Sequence, residues 1–406
     1  MSQPLVLVCQ VFHPDSTSTS QLLSALMRLL NRQGYQVDVL CGFPALQSSD
    51  NISRTENWNG VNIRRCGWKL PLKKNIIFRG FAYVSFLAEV TCRLMFVPSD
   101  TKWLGVTNPP FVAWCMAFAS WFRRQRYYYF FLDLHPEGLI ALGLLKGNTW
   151  YVKLWLFFNH LSYNRVESLF VLGRDMIPLI SEKYSQPKSK FHYLPHWSAV
   201  ESAEPILFED SAFTKIWNLQ SKFVVQYSGN MGLWHDIENF VLAAKRLEEK
   251  PHIQFVFIGD GRRRNQAELL ASELGCANIQ WHDFVELEDL SESLAACHVS
   301  LISLRAGLEG VAVPCKLYGI LAAGRAVVAQ VPIESEVALT VNEHECGVVV
   351  PPGDVDELVR VLKLLSNNLS EVDSMGRNAF AAYENHYRLE NAILNLKSEL
   401  NLLSAE

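Results

Sequence analysis

The sequence predicts an α/β protein built from two doubly wound, Rossmann-like domains. Two series of short apolar runs alternate with segments of helical period, polar or glycine residues close most of those runs, and an aperiodic stretch separates the two series. At 406 residues the chain also outgrows a single hydrophobic core.

The first series opens with a buried strand at 5–11, and Leu22, Leu23, Leu26, Leu29 and Leu30 then recur at helical spacing. A second strand at 37–40 follows Gly34, which completes a βαβ unit. Residues 103–122 are uncharged and long enough to span a bilayer. Asn108-Pro109-Pro110 breaks that stretch, so it is expected as strand, turn and a buried or interfacial helix at 111–122. The aromatic run 127–132 and the run 168–172 are strands that end in Asp133-Leu134-His135-Pro136-Glu137 and Gly173-Arg174-Asp175.

Periodicity is lost over 188–211, which marks the connection between domains. Strands at 223–227, 253–258, 279–284, 299–304, 326–331 and 348–350 then alternate with helices at 236–249, 263–274, 287–297, 316–323 and 354–365. A helical tail at 378–403 is expected to cross back to the first domain. The division is therefore 1–200, 201–375 and 376–406. Two such sheets in series present their strand carboxyl ends to a cleft, the place where ligands of doubly wound sheets bind.

Charge divides with the domains. Residues 1–200 carry 21 Lys+Arg against 11 Asp+Glu, whereas residues 201–406 carry 16 against 30; eight of the 11 tryptophans lie in the first half. A basic, aromatic half suits an anionic surface such as lipid phosphate. Arg64-Arg65, Lys73-Lys74 and Arg123-Arg124-Gln125-Arg126 sit in no nucleic-acid-binding motif, and no nucleic-acid partner is expected. Nine scattered cysteines, with no C-x-x-C pair and no basic leader, predict a cytosolic protein with reduced thiols.

Three glycine-bearing turns follow strands. Tyr227-Ser228-Gly229-Asn230-Met231-Gly232 leads into a helix whose free N–H groups suit a diphosphate, with Asp236 as an N-cap. Gly259-Asp260-Gly261 lacks a third glycine, since Arg264 takes its place, and the dinucleotide fingerprint fails. Pro314-Cys315-Lys316 puts a lysine in a first helical turn, which the helix dipole disfavours unless an anion is bound there. Asp354-Val355-Asp356 has the spacing of a metal pair but begins a helix, where it caps. No metal, serine-hydrolase or Walker A motif occurs.

In that order, Gly229-Asn230-x-Gly232, Gly259-Asp260-Gly261, Pro314-x-Lys316-Leu317-Tyr318-Gly319-x-Leu321-Ala322-Ala323-Gly324-Arg325 and Gly347-x-x-x-Pro351-Pro352-Gly353-Asp354 resemble the donor domain of family-four glycosyltransferases of the GT-B fold. The resemblance is to the bacterial polysaccharide and O-antigen branch. Phe12-His13-Pro14, Gly34 and Asp133-Leu134-x-Pro136-Glu137 extend it, more weakly, over the first half.

The resemblance implies a retaining, metal-independent transfer from a nucleotide-diphosphate sugar to a lipid-linked or polysaccharide acceptor, with no cofactor beyond that co-substrate. It assigns Gly229, Asn230, Gly232 and Gly261 to the donor, Lys316 to its diphosphate with the amides of Leu317 and Tyr318, Phe284 and Val285 to the base, and Glu309 to the donor side. It assigns Asp133 to the acceptor side of the reaction, with His135 and Glu137 as neighbours. Ser18 and Thr19, in a hydroxyl-rich 16–20 loop, stand where relatives carry paired glycines. Val311 and Gly319 occupy the positions of two glutamates usual in the family. That substitution brings in a non-catalytic nucleotide-sugar-binding partner as an alternative reading, beside an epimerase of the same fold. The expected location is the inner face of the cytoplasmic membrane, with peripheral contact through the basic, aromatic segments 78–96 and 111–129.

Overall fold

The computed structural model describes residues 3–15, 17–44, 52–69, 76–198 and 204–400; Ser16 and the Lys73-Lys74 pair lie outside them. The chain divides into two compact units, Met1–Pro195 with Leu389–Glu406, and His196–Arg388.

The first unit holds an eight-stranded sheet: β1 (Leu5–Val8), β2 (Val37–Cys41), β3 (Thr55–Trp58), β4 (Val61–Arg65), β5 (Lys102–Val106), β6 (Tyr127–Phe131), β7 (Val166–Val171) and β8 (Phe191–Tyr193). Their spatial order is β3-β4-β2-β1-β5-β6-β7-β8. Only the β3/β4 hairpin is antiparallel. The strands at the centre of the sheet are mostly apolar because helices cover them, and β6 is buried at all five residues, whereas β4 nearer the edge alternates buried and exposed. The helix Ser18–Arg32 starts at a Thr17 cap and stops where Gly34, at φ +87°, lets the amide of Tyr35 return to the Leu30 carbonyl at 3.3 Å.

The second unit holds six parallel strands, β9 (Phe223–Ser228), β10 (Ile253–Ile258), β11 (Ile279–His282), β12 (Val299–Ser303), β13 (Ala326–Gln330) and β14 (Gly347–Val350). They are arranged β11-β10-β9-β12-β13-β14. In its own chain order this is 3-2-1-4-5-6, so the strand order reverses between β9 and β12. One layer of core packs Tyr227, Phe240, Phe255 and Leu358 against the sheet. Asp354 caps the helix Val355–Ser366 by accepting from the Glu357 amide at 2.9 Å, as the sequence suggested.

Several expectations need correction. The first strand ends at Val8, three residues early, and β3, β4 and β8 were not foreseen, whereas the strand expected before Asn108 is β5. The tail is not one helix but Leu369–Ala382, a π-helical turn Tyr383–Tyr387, and Leu389–Leu400. That last helix packs in the first unit, where Lys397 donates to Gln33 at 3.1 Å and lies over the Tyr35 ring. Arg65 is not a surface charge. It is fully buried, donating to the His13 carbonyl at 3.0 Å, the Ser53 carbonyl at 2.9 Å and the Glu56 carboxylate at 2.7 Å. No helix among the described residues is long and apolar enough to cross a membrane.

The second sheet depends on a bare backbone at Gly347, where an added Cβ would lie 2.0 Å from the Val327 carbonyl oxygen. Gly347→Ala is expected to lose at least about 2 kcal/mol, because backbone atoms cannot move aside as a side chain can. Chemical denaturation followed by tryptophan fluorescence measures the loss.

Candidate functional site

The reversal of strand order places the turn after β9 beside the loop after β12, and the side chains there converge. Gly229 takes φ +125°. An added Cβ at Gly229 would meet Lys316 Cε at 3.6 Å and Nζ at 3.7 Å, so the lysine lies directly over the turn. The turn is fixed to the next one: Gly229 N–H donates to the Ile258 carbonyl at 2.9 Å, and Met231 N–H to the Asp260 carbonyl at 2.8 Å. At Gly261, φ +150°, a Cβ would sit 2.5 Å from the Met231 carbonyl oxygen and 2.7 Å from Asn230 Oδ1. Gly259-Asp260-Gly261 therefore packs beneath the Gly229 turn, and at Gly232 a Cβ would meet Asn230 Nδ2 at 3.1 Å.

The lysine itself is unusual. Its stem is partly exposed, but Nζ is buried without a hydrogen-bond partner and lies 3.6 Å from the centroid of the Tyr227 ring. Burial pulls its pKa down to about 7, because an ammonium removed from water favours its neutral form. Tyr227 is itself anchored, donating to the Asn230 carbonyl at 2.9 Å. Beside it, His235 is held neutral, its pKa lowered to about 3 by burial first and by the Lys316 charge second. His235 Nδ1 faces the Ser303 carbonyl at 2.5 Å; a carbonyl only accepts, so Nδ1 carries the proton. Asp236 makes no side-chain cap; it pairs with Arg305 at 3.2 Å.

The other donor-side candidates fall around this centre unequally. The amides of Leu317 and Tyr318 close on the Pro314 and Cys315 carbonyls, each at 3.3 Å, and the Tyr318 ring packs on Tyr387. Lys316 Nζ is thus the main polar group offered at the start of the helix Lys316–Ala322. Phe284 is exposed beside Gly259, while Val285 packs on the core near Phe213 and Trp217. Glu309 accepts from the Gly307 amide at 2.8 Å and so shapes its own loop. Val311 is buried, and Gly319 lies against Leu294, so neither family glutamate position carries a polar group.

In the first unit, Asp133 and His135 follow β6. Thr107 at the end of β5 accepts from the Leu132 amide at 2.9 Å and the Asp133 amide at 3.3 Å, which orients the loop. Asp133 Oδ2 lies 3.3 Å from His135 Nε2. Burial would lower the His135 pKa, but the hydrogen bond and charge of Asp133, aided by Glu137, outweigh it and raise it. Glu137 is buried, accepting from Tyr184 at 2.5 Å and Lys183 at 3.0 Å. Asn159 holds the loop from behind, donating to the His135 carbonyl at 2.8 Å and accepting from Trp114 at 2.8 Å. Ser18 and Thr19 begin the helix after β1, two strands from β6. Tyr227 and Asn159 escaped sequence reasoning. Tyr227 had one legible signal, an aromatic ending a strand just before a glycine turn.

Two parallel-sheet α/β units, the second carrying a basic group at its strand reversal, define the GT-B glycosyltransferase fold. The family model described as glycosyl transferases group 1 matches residues 210–382. The chain is 28% identical over 318 residues to the Pseudomonas aeruginosa protein WbjE, named as a glycosyltransferase, covering 78% of this chain and 79% of that one. It is 25% identical over 364 residues to WcaI of Escherichia coli (strain K12), named for colanic acid biosynthesis glycosyl transfer, covering 86% and 88%. The structure of Anabaena Alr3699/HepE in complex with UDP shares the fold at a TM-score of 0.70 and 11% identity, covering 98% of this chain and 99% of that one.

The Asp133–His135 pair predicts a measurable titration. His135 is expected to hold its proton above its usual pKa near 6.5, and Asp133→Asn to bring that midpoint down. Histidine NMR titration reads both. By linkage, the stability contributed by the pair is complete below the unfolded-state pKa and is lost as pH rises through the raised folded one.

Proposed function

We propose that this glycosyltransferase moves a sugar from a nucleotide-diphosphate sugar to a lipid-linked or polysaccharide acceptor, with retention of configuration and without a metal. The observation that carries the reading is the buried, unpartnered Nζ of Lys316 over the Gly229 turn. An unpaired buried ammonium costs several kcal/mol to leave unmet, roughly what an incoming diphosphate restores. The likeness to a UDP complex of HepE, and to relatives named for glycosyl transfer and colanic acid biosynthesis, supports the same donor and product classes.

In this reading the bond between the anomeric carbon and the diphosphate breaks, an acceptor oxygen bonds to that carbon, and the acceptor hydroxyl loses its proton. Negative charge grows on the departing diphosphate. Lys316 is charged and desolvated where that charge develops, so its attraction strengthens toward the transition state. Gly229, Asn230 and Gly232 bring backbone close to the diphosphate, and Phe284 and Val285 flank the base. Asp133, paired with His135, orients the acceptor in the first unit. The protein works at the inner face of the cytoplasmic membrane through peripheral contact.

The donor should carry a proton to the site. Free Lys316 is mostly neutral above pH about 7, so donor affinity is expected to fall toward tenfold per pH unit there, with uptake approaching one proton. Calorimetry in buffers of different ionisation enthalpy measures that uptake.

Lys316→Met is expected to weaken donor binding at least about 100-fold while stabilising the unliganded protein by about 1–3 kcal/mol, the opposite signs marking a binding group held at a cost to the fold. Thermal melts with and without uridine, guanosine and cytidine diphosphate sugars test both, and unchanged donor affinity in the variant sinks the assignment.

A further inference from the structure

The helix Trp150–Tyr163 is inside out for a helix that faces water. Its buried residues include Asn159 and Ser162, whereas Trp150, Leu154, Phe157, Phe158 and Leu161, spaced along one stripe, are exposed. Trp150 is 75% exposed and Phe157 55%. The helix packs beside Val112–Arg123, which packs in turn beside Ile76–Leu94. Both neighbours continue the apolar face, with Trp121 67% and Phe81 54% exposed. Rings join the three helices: Tyr83 lies 6.0 Å from Phe111, Phe111 4.6 Å from Trp155, and Trp114 5.1 Å from Phe158. A continuous apolar face of this extent marks a contact surface.

Charge identifies the occupant. From residue 76 to 166, which spans all three helices, the chain holds nine basic residues and four acids, Glu89, Asp100, Asp133 and Glu137. Glu89 pairs with Arg54 and Arg93, Asp133 with His135, and Glu137 with Tyr184 and Lys183. Lys153 on the helix, Lys146 shortly before it, and Arg124 and Arg126 beside Trp121, are exposed. Tryptophan and phenylalanine bordered by lysine and arginine, with Glu89 already paired to arginines, suit the headgroup layer of an anionic bilayer.

We propose that the three-helix face centred on Trp150–Tyr163 is the surface by which this protein seats on an anionic phospholipid membrane. The proposal rests on the peripheral contact of the reading above, keeps the helical parts of the two segments the sequence suggested, and centres the contact on a third helix. Tyr127, Tyr128 and Tyr129, within the segment first expected to touch lipid, are buried in the sheet, and Arg65 is buried as well. The helix 150–163 was not among those segments. Asn159 and Trp114 connect this face directly to the His135 loop, so a lipid-linked acceptor would lie close to Asp133.

Vesicle co-sedimentation of the full chain tests the surface, with phosphatidylcholine alone and with phosphatidylcholine containing phosphatidylglycerol. Preferential binding to the anionic vesicles is expected, falling at least tenfold in the triple variant Trp150→Ser, Phe157→Ser, Leu161→Ser. The double variant Lys146→Glu, Lys153→Glu should lose the anionic preference. Donor-induced shifts in melting temperature should match wild type in both variants, which separates this test from the donor assignment. The proposal is overturned if wild type ignores both vesicles, if the triple variant binds like wild type, or if wild type elutes at twice the variant's mass without binding vesicles, which would make the face a dimer seat.

Discussion

The second unit is organised around the cost of keeping one ammonium out of water. Lys316 Nζ has only the face of Tyr227 for company, an attraction too small to repay desolvation. The surrounding architecture maintains that imbalance. Strand reversal brings β9 and β12 together, the glycines at 229, 259 and 261 let two turns stack without Cβ atoms between them, and His235 is held neutral next to the lysine. A site that is electrostatically incomplete when empty has a built-in preference for anions.

The first unit solves a different problem. Thr107 and Asn159 hold the backbone of the loop after β6, so Asp133 and His135 are placed by a hydrogen-bonded scaffold, although Asp133 Oδ1, His135 Nδ1 and Glu137 Oε2 stay buried without a partner. Glu137, conspicuous in the sequence beside them, is committed to that scaffold through Tyr184 and Lys183. The two units thus show contrasting electrostatics: one leaves a charge unmet, the other pairs its charges and offers their arrangement.

What the sequence disclosed follows from the range of each signal. Buried parallel strands are continuous apolar runs, and nearly all of the second sheet could be read that way. Lys316 was legible because a lysine in a first helical turn opposes the local dipole. The β3/β4 hairpin was not, since its residues Thr55–Trp58 are polar and pair on one side only. Burial of Arg65 was invisible because its partners come from distant segments, the carbonyls of His13 and Ser53 and the carboxylate of Glu56. Aromatic runs were ambiguous for the same reason. Tyr127–Phe131 and Trp150–Tyr163 are comparably rich in rings, but one is a central strand and the other covers a sheet with its apolar side outward.

The return of Leu389–Leu400 to the first unit makes the whole of His196–Arg388 an insertion within it. During synthesis, the ribosome must therefore release the entire second unit before the first receives its final helix. Until then the groups that Lys397 and Glu399 engage, Gln33, Tyr35 and His192, remain open to solvent. The second unit can complete its sheet as soon as it emerges, so the part made later is the part finished sooner.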